Sequence, residues 1–210
     1  MSARGVAMCP RAGPRVYSSA RGAALIDVVL TCGFIALLAA VLLPSVHASR
    51  ERDQVRMAAR HLTSTMHLLR VEAIRRNRTV AMRLDPTDLG AFAVYVDGDG
   101  DGVRQSDIDA GTDIVLHQTR HIQDAFAGVA LRIPITVPTP DGAGVLDADS
   151  DPIRIGNTNF LSFNPIGTAT SGTIYLSGRG GGLIAVRVFG ATGRLRVLQF
   201  QHASNTWRED

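Results

Sequence analysis

Residues 23–46, AALIDVVLTCGFIALLAAVLLPSV, carry one formal charge, Asp27, and are otherwise almost wholly apolar. As a helix, about 20 such residues rising about 1.5 Å each cover the roughly 30 Å hydrocarbon layer of a bilayer, so the stretch reads as a membrane span. A lone carboxylate inside a span is costly unless something pairs with it, which makes Asp27 a candidate for function. Residues 1–22 hold Arg4, Arg11, Arg15 and Arg21 and no acid. A flank of that sign stays in the cytoplasm. A secretory signal has its small-residue cleavage site after the apolar region, whereas here Gly22 stands immediately before it.

The 210 residues leave room for one modest domain beyond the span. The chain has 22 basic and 19 acidic residues, all of the basic ones arginine. Without the four arginines of residues 1–22 the balance is 18 against 19, so the basic character is mostly a targeting effect. Cys9 and Cys32 are the two cysteines, and neither falls beyond residue 46. A domain made of the rest holds together by packing alone.

After the span, Pro44 is placed to kink the helix. From 47 to about 76 the residues Val55, Ala58, Ala59, Leu62, Met66, Leu69 and Ala73 recur at helical spacing. This predicts an amphipathic continuation over 47–78, its end marked by Arg75, Arg76 and Arg78 near the helix C-terminus. The arginines of this segment read as a solvated face near anionic headgroups. Beyond it the period changes, and strands are expected at 79–84, 91–96, 114–117, 128–135, 160–163, 173–176, 183–189 and 194–200, with turns rich in Gly, Pro and Asp between them. The reading is α+β: a long N-terminal helix, transmembrane then amphipathic, followed by an antiparallel β-sandwich head over 79–210.

Arg21-Gly22 followed by Ala23-Ala24-Leu25-Ile26-Asp27 resembles the prepilin leader of type IV pilins and type II secretion pseudopilins. Leu68-Leu69-Arg70-Val71-Glu72-Ala73-Ile74-Arg75-Arg76-Asn77 is similar to the helix end of GspH/FimT-type minor pseudopilins. Phe163-Asn164-Pro165-Ile166-Gly167 resembles that family's F-x-P-x-G strand and turn, and Gly193-Arg194-Leu195-Arg196-Val197 its GRxRV ending. The resemblance implies a pilin-like fold and a leader, 1–22, removed by a prepilin peptidase after Gly22. Ala23 then becomes the methylated N-terminus, and Asp27 takes the place of the acid that registers one subunit against the next. The family usually has Phe at the position of Ala23 and Glu at that of Asp27. The implied partners are other pilin or pseudopilin subunits and the inner membrane, with the head in the periplasm.

Three local constellations carry chemistry of their own. Asp97-Gly98-Asp99-Gly100-Asp101-Gly102 has carboxylates at the first, third and fifth positions of a calcium loop, but Ile108 stands at the twelfth and Asp107 and Asp109 flank it. Calcium held by Asp97, Asp99, Asp101, Asp107 and Asp109 stands beside a plain acidic hairpin loop. Arg194 and Arg196, two apart on a strand, project to one face at a spacing that suits successive phosphates. In FimT-like proteins such a tail is implicated in DNA binding, and an exposed strand that happens to be Arg-rich is the other reading. Ser177-Gly178-Arg179-Gly180-Gly181-Gly182 lacks the Lys-Ser/Thr and helix of a phosphate loop and reads as a flexible hairpin tip.

No Ser, His and Asp arrangement organises a nucleophile, so no enzyme is expected. Three functions stay open at this point: a structural subunit of a type II secretion pseudopilus or type IV pilus, a DNA-binding minor pilin of natural transformation, and a calcium-binding, membrane-anchored surface domain.

Overall fold

A computed structural model describes the backbone of residues 20–209 and the side chains of 25–40 and 51–209. The expected leader up to residue 19, and the side-chain surroundings of Gly22, Ala23 and Pro44, lie outside the described residues. The chain divides into two compact units, Met1–Ser45 and Val46–Asp210.

Helix α1 (Ala20–Arg76) supplies both units. In the first, Leu25, Ile26, Val29, Phe34 and Leu37 are 62–68 % exposed, and Thr31 Oγ1 donates back to the carbonyl oxygens of Asp27 and Val28 at 2.9 Å. Among the described residues no helix is long and apolar enough to cross a membrane, the described side chains of the apolar run reaching only from 25 to 40.

In the second unit, Val55, Ala58, Ala59, Leu62, Met66, Leu69 and Ala73 are all buried. Full burial of a residue such as Leu62 or Met66 is worth about 1.5–3 kcal/mol, and the stripe fixes which face of α1 meets the head. The helix stops where Asn77 turns left-handed at φ 52, a conformation Asn tolerates, with Arg78 N donating to Ala73 O.

The head follows as β1 (Val80–Leu84), β2 (Ala91–Val96), α2 (Gln105–Ala110), β3 (Ile114–His121), α3 (Ile122–Ala125), β4 (Val129–Leu131), β5 (Val137–Pro138), β6 (Val145–Leu146), β7 (Ile153–Ile155), β8 (Phe160–Phe163), β9 (Gly172–Gly178), β10 (Leu183–Phe189), β11 (Arg194–Gln201) and β12 (Thr206–Glu209). One sheet has the order β3-β2-β1-β8 and the other β12-β11-β10-β9-β4, with β7 also on β9 and β5-β6 a separate pair. Every pairing is antiparallel.

One continuous core joins the α1 stripe to Val80, Met82, Phe92, Val94 and Leu161 of the first sheet and to Ile174, Leu176, Ile184 and Val186 of the second. The head is therefore completed by its helix and is not a sandwich closed by sheet on sheet alone. Each sheet is covered on its other face as well. Tyr95 and Ala93 meet Val103 of the 97–113 segment, and Tyr175, Ala185 and Phe200 meet Ile133, Val137, Leu146 and Trp207. This double cover explains why β2 and β10 read as apolar runs with no alternation.

Several boundaries differ from the sequence expectation. The strand at 128–135 is confined to Val129–Leu131, because Pro134 offers no ladder donor and Ile133 turns into the second cluster. β3 runs on to His121, held by Arg120 opposite Phe92 and His121 opposite Ala91. β12, a polar strand, gave no hydrophobic signal; it is held by the β11 ladder and by Trp207 Nε1 donating to Pro138 O at 2.7 Å.

Candidate functional site

The helix-end, F-x-P-x-G and GRxRV motifs meet at Arg70. Its Nη1 lies 3.5 Å from the carbonyl oxygen of Gly193. A Cβ at Gly167 would stand 3.2 Å from Arg70 Nη2, and one at Gly193 would stand 3.2 Å from Arg70 Nε and 2.5 Å from Gly167 O. Both glycines have positive φ, 89° and 58°, a region other residues enter only at a cost. The turn after β8 and the turn between β10 and β11 thus close over one guanidinium on α1, tying the helix to both sheets.

At the opposite face of the first sheet, the acidic segment is built on two buried carboxylates. Asp97 accepts from the amides of Gly100 at 2.6 Å and Gly102 at 3.1 Å; Asp113 accepts from those of Gly98 and Arg104 at 3.0 Å each. Gly98 has no room for a Cβ, which would lie 1.9 Å from Thr112 O. Asp97, Asp99 and Asp101 place oxygens within 4.8 Å of one another, close enough to share a cation. Desolvation and the neighbouring Asp99 carboxylate push Asp101 up, while the Asp101 amide holds Asp99 down. Arg104 pairs with Asp101. Of the other two expected ligands, Asp109 accepts from Gln105 Nε2 at 2.7 Å and Asp107 from the Ser106 hydroxyl at 3.2 Å, so neither is drawn into that trio by the bonds described.

Arg194 and Arg196 do share a face, the outer face of the second sheet, and Arg187 on β10 lies opposite Arg196. The guanidiniums of Arg187 and Arg196 stand 5.3 and 5.4 Å from the Phe189 ring centre, two cation–π contacts to one aromatic. Arg196 also approaches Glu209 at 3.5 Å and Arg187 approaches Asp141 at 3.4 Å, while Arg194 is exposed. In the first unit the Asp27 side chain is exposed and has no side-chain partner among the described residues.

Against known families, the chain matches the model of the type II transport protein GspH over residues 58–193, well over half its length. The chain belongs to the GspH family. At family level it is a type II secretion pseudopilin: a structural component of a membrane-associated pseudopilus that works beside other pseudopilin subunits. No curated protein and no solved structure matches the chain significantly. The GspH match takes in Arg70 and Gly167 and ends on Gly193, so the Arg70 junction lies inside it; Arg194 and Arg196 lie just outside.

Two residues that organise this GspH-family head have roles that the sequence alone does not mark. Asp113 sits twelve positions past the last carboxylate of the Asp-Gly repeat, and nothing local marks it as the partner of Gly98 and Arg104. Arg70 lies at the edge of the apolar stripe among many arginines, and only the two glycine turns that close on it single it out.

Proposed function

We propose that this chain is a minor pseudopilin, cut by a prepilin peptidase after Gly22, methylated on Ala23, anchored in the inner membrane by 23–46 with its head in the periplasm, and assembled through α1. The observation that carries this is the two-sided character of α1. Its stripe from Val55 to Ala73 is buried in the head, while large apolar side chains from Leu25 to Leu38 are exposed, most of them by 60 % or more. A helix apolar all round needs lipid or other helices around it. Asp27, without a partner on its own chain among the described residues, is free to pair with the Ala23 amine of a neighbour in a medium where an unpaired charge is costly. Asp27→Ala is expected to stop incorporation into the pseudopilus, and Asp27→Glu to keep it. Normal assembly of the alanine variant would remove the role.

A second reading adds DNA as a partner, on the strength of Arg187, Arg194 and Arg196 sharing one sheet face around Phe189. It places the chain in a type IV pilus of natural transformation. The doubly substituted R194A/R196A chain would bind duplex DNA with a shallower salt dependence than the parent. An unchanged slope would discard DNA as a partner.

A further inference from the structure

We propose that the cavity beside the β9–β10 hairpin tip binds the phosphate of an anionic phospholipid headgroup. This rests on the reading of 23–46 as a membrane anchor.

The hairpin tip, residues 178–182, is closed by Gly178 N donating to Gly182 O at 3.0 Å and Gly181 N donating to Gly178 O at 3.1 Å. It is fixed in place rather than free. A Cβ at Gly178 would lie 2.3 Å from Val55 Cγ2 and 3.4 Å from Glu51 O, and His202 Nε2 stands 2.7 Å from Gly181 O on the other side. The glycines are what allow the tip to press on the 51–55 turn of α1. Glu51 follows Val46, the last residue of the apolar run, by five positions, a helical rise of about 7.5 Å. The polar layer of one leaflet is roughly 5–8 Å thick. Five residues reach at most about 17 Å in any conformation, so a chain anchored through 23–46 keeps this tip close to the headgroup layer.

Beside the tip lies a cavity of about 460 Å³, lined among others by Gln123, Gly128, Arg132, Ser177 and Arg179. That volume is within the ordinary range for a small-ligand site. Gly128, at φ 84°, leaves its face bare, and the Arg179 side chain lies across it, with Cδ and Nε 3.4 Å from where a Cβ would be. The Arg179 guanidinium has no hydrogen-bond or ion-pair partner among the described residues. Arg132 commits its Nε to Asp149 at 2.7 Å, which leaves its two terminal nitrogens for an anion. Two planar forks facing one hollow suit the oxygens of a phosphate. The Asp149 carboxylate is engaged by Arg132.

The test places the full chain in nanodiscs of phosphatidylcholine with or without phosphatidylglycerol and follows amide exchange at 128–132 and 178–182. With phosphatidylglycerol, exchange is expected to slow about fivefold, the attraction of roughly one cation to an anionic surface. Arg179→Ala should abolish that difference, while Arg75→Ala, about 36 Å further along α1 by helical rise, should preserve it. Equal exchange in both discs, or protection that survives Arg179→Ala, would overturn the headgroup site and leave the anchor standing. Protection by millimolar inorganic phosphate in phosphatidylcholine discs would overturn the lipid assignment in favour of free phosphate. A chain that enters neither disc would overturn the anchor itself, and the headgroup site with it.

Discussion

The Arg70 guanidinium on α1 reaches the carbonyl oxygen of Gly193 in the β10–β11 turn, with Gly167 of the β8–β9 turn packed against its other nitrogen. Three stretches nearly 125 residues apart at their extremes converge on this one side chain. Gly193→Ala is expected to destabilise the chain by at least about 2 kcal/mol, since it adds a left-handed penalty of roughly 1–2 kcal/mol to a Cβ placed 2.5 Å from Gly167 O. Urea unfolding of the detergent-solubilised protein measures it, and a loss within about 0.5 kcal/mol would mean the junction does not hold the helix.

Asp113 is buried and holds two backbone amides that have no other partner described. Asp113→Ala strands both donors, at about 1–3 kcal/mol each, and frees the 97–113 segment from the outer face of the first sheet. The expected signature is fast amide exchange at Gly98 and Arg104 together with a lower melting temperature. Exchange unchanged at both amides would show that the segment is held without Asp113.

Calcium at the Asp97, Asp99, Asp101 corner would compete with Arg104, because both need the Asp101 carboxylate. Calorimetric titration of Arg104→Ala is therefore expected to show calcium binding tighter than in the parent chain by roughly twofold to fivefold, the worth of one exposed ion pair. Equal affinity in both chains would show that Arg104 does not compete for the site, and no heat from either would show that these carboxylates do not share a cation.

Two exposed pairs respond to pH in opposite senses. His121 Nε2 lies 2.8 Å from Asp88 Oδ2, and that hydrogen bond raises the imidazole above its usual value. Its contribution is full below the unfolded value near 6.5 and disappears as pH climbs through the raised one. Glu72, hydrogen-bonded by Arg75 and then Arg76, is lowered to about 2, so its contribution holds above the ordinary carboxylate range and is lost as pH falls towards 2. Proton NMR titration should show the His121 shift cancelled by Asp88→Asn and leave Glu72 untouched. A His121 midpoint that ignores Asp88→Asn would contradict the pairing.

The helix and most strands of the head were legible because a buried stripe or a doubly covered strand writes itself into residue type. The α1 stripe from Val55 to Ala73 and β10 at Leu183–Phe189 are read directly from spacing and apolar runs. β12 was not, since Thr206–Glu209 is half solvated and is held by the ladder and one indole bond, neither of which leaves a pattern. The acidic repeat was visible as a candidate site, but the partner that closes it, Asp113, comes from a distant position fixed only by the fold. The glycine-rich tip read as flexible because sequence shows what glycine permits and not what presses on it, here Val55.

Everything proposed for this pseudopilin depends on an apolar N-terminal helix that survives maturation with Asp27 near its tip. Intact-mass analysis of the membrane-extracted protein measures this most directly. The expected mass is that of residues 23–210 bearing one methyl group on the Ala23 amine. A product that keeps residues 1–22, or one that begins beyond Val46, would contradict it.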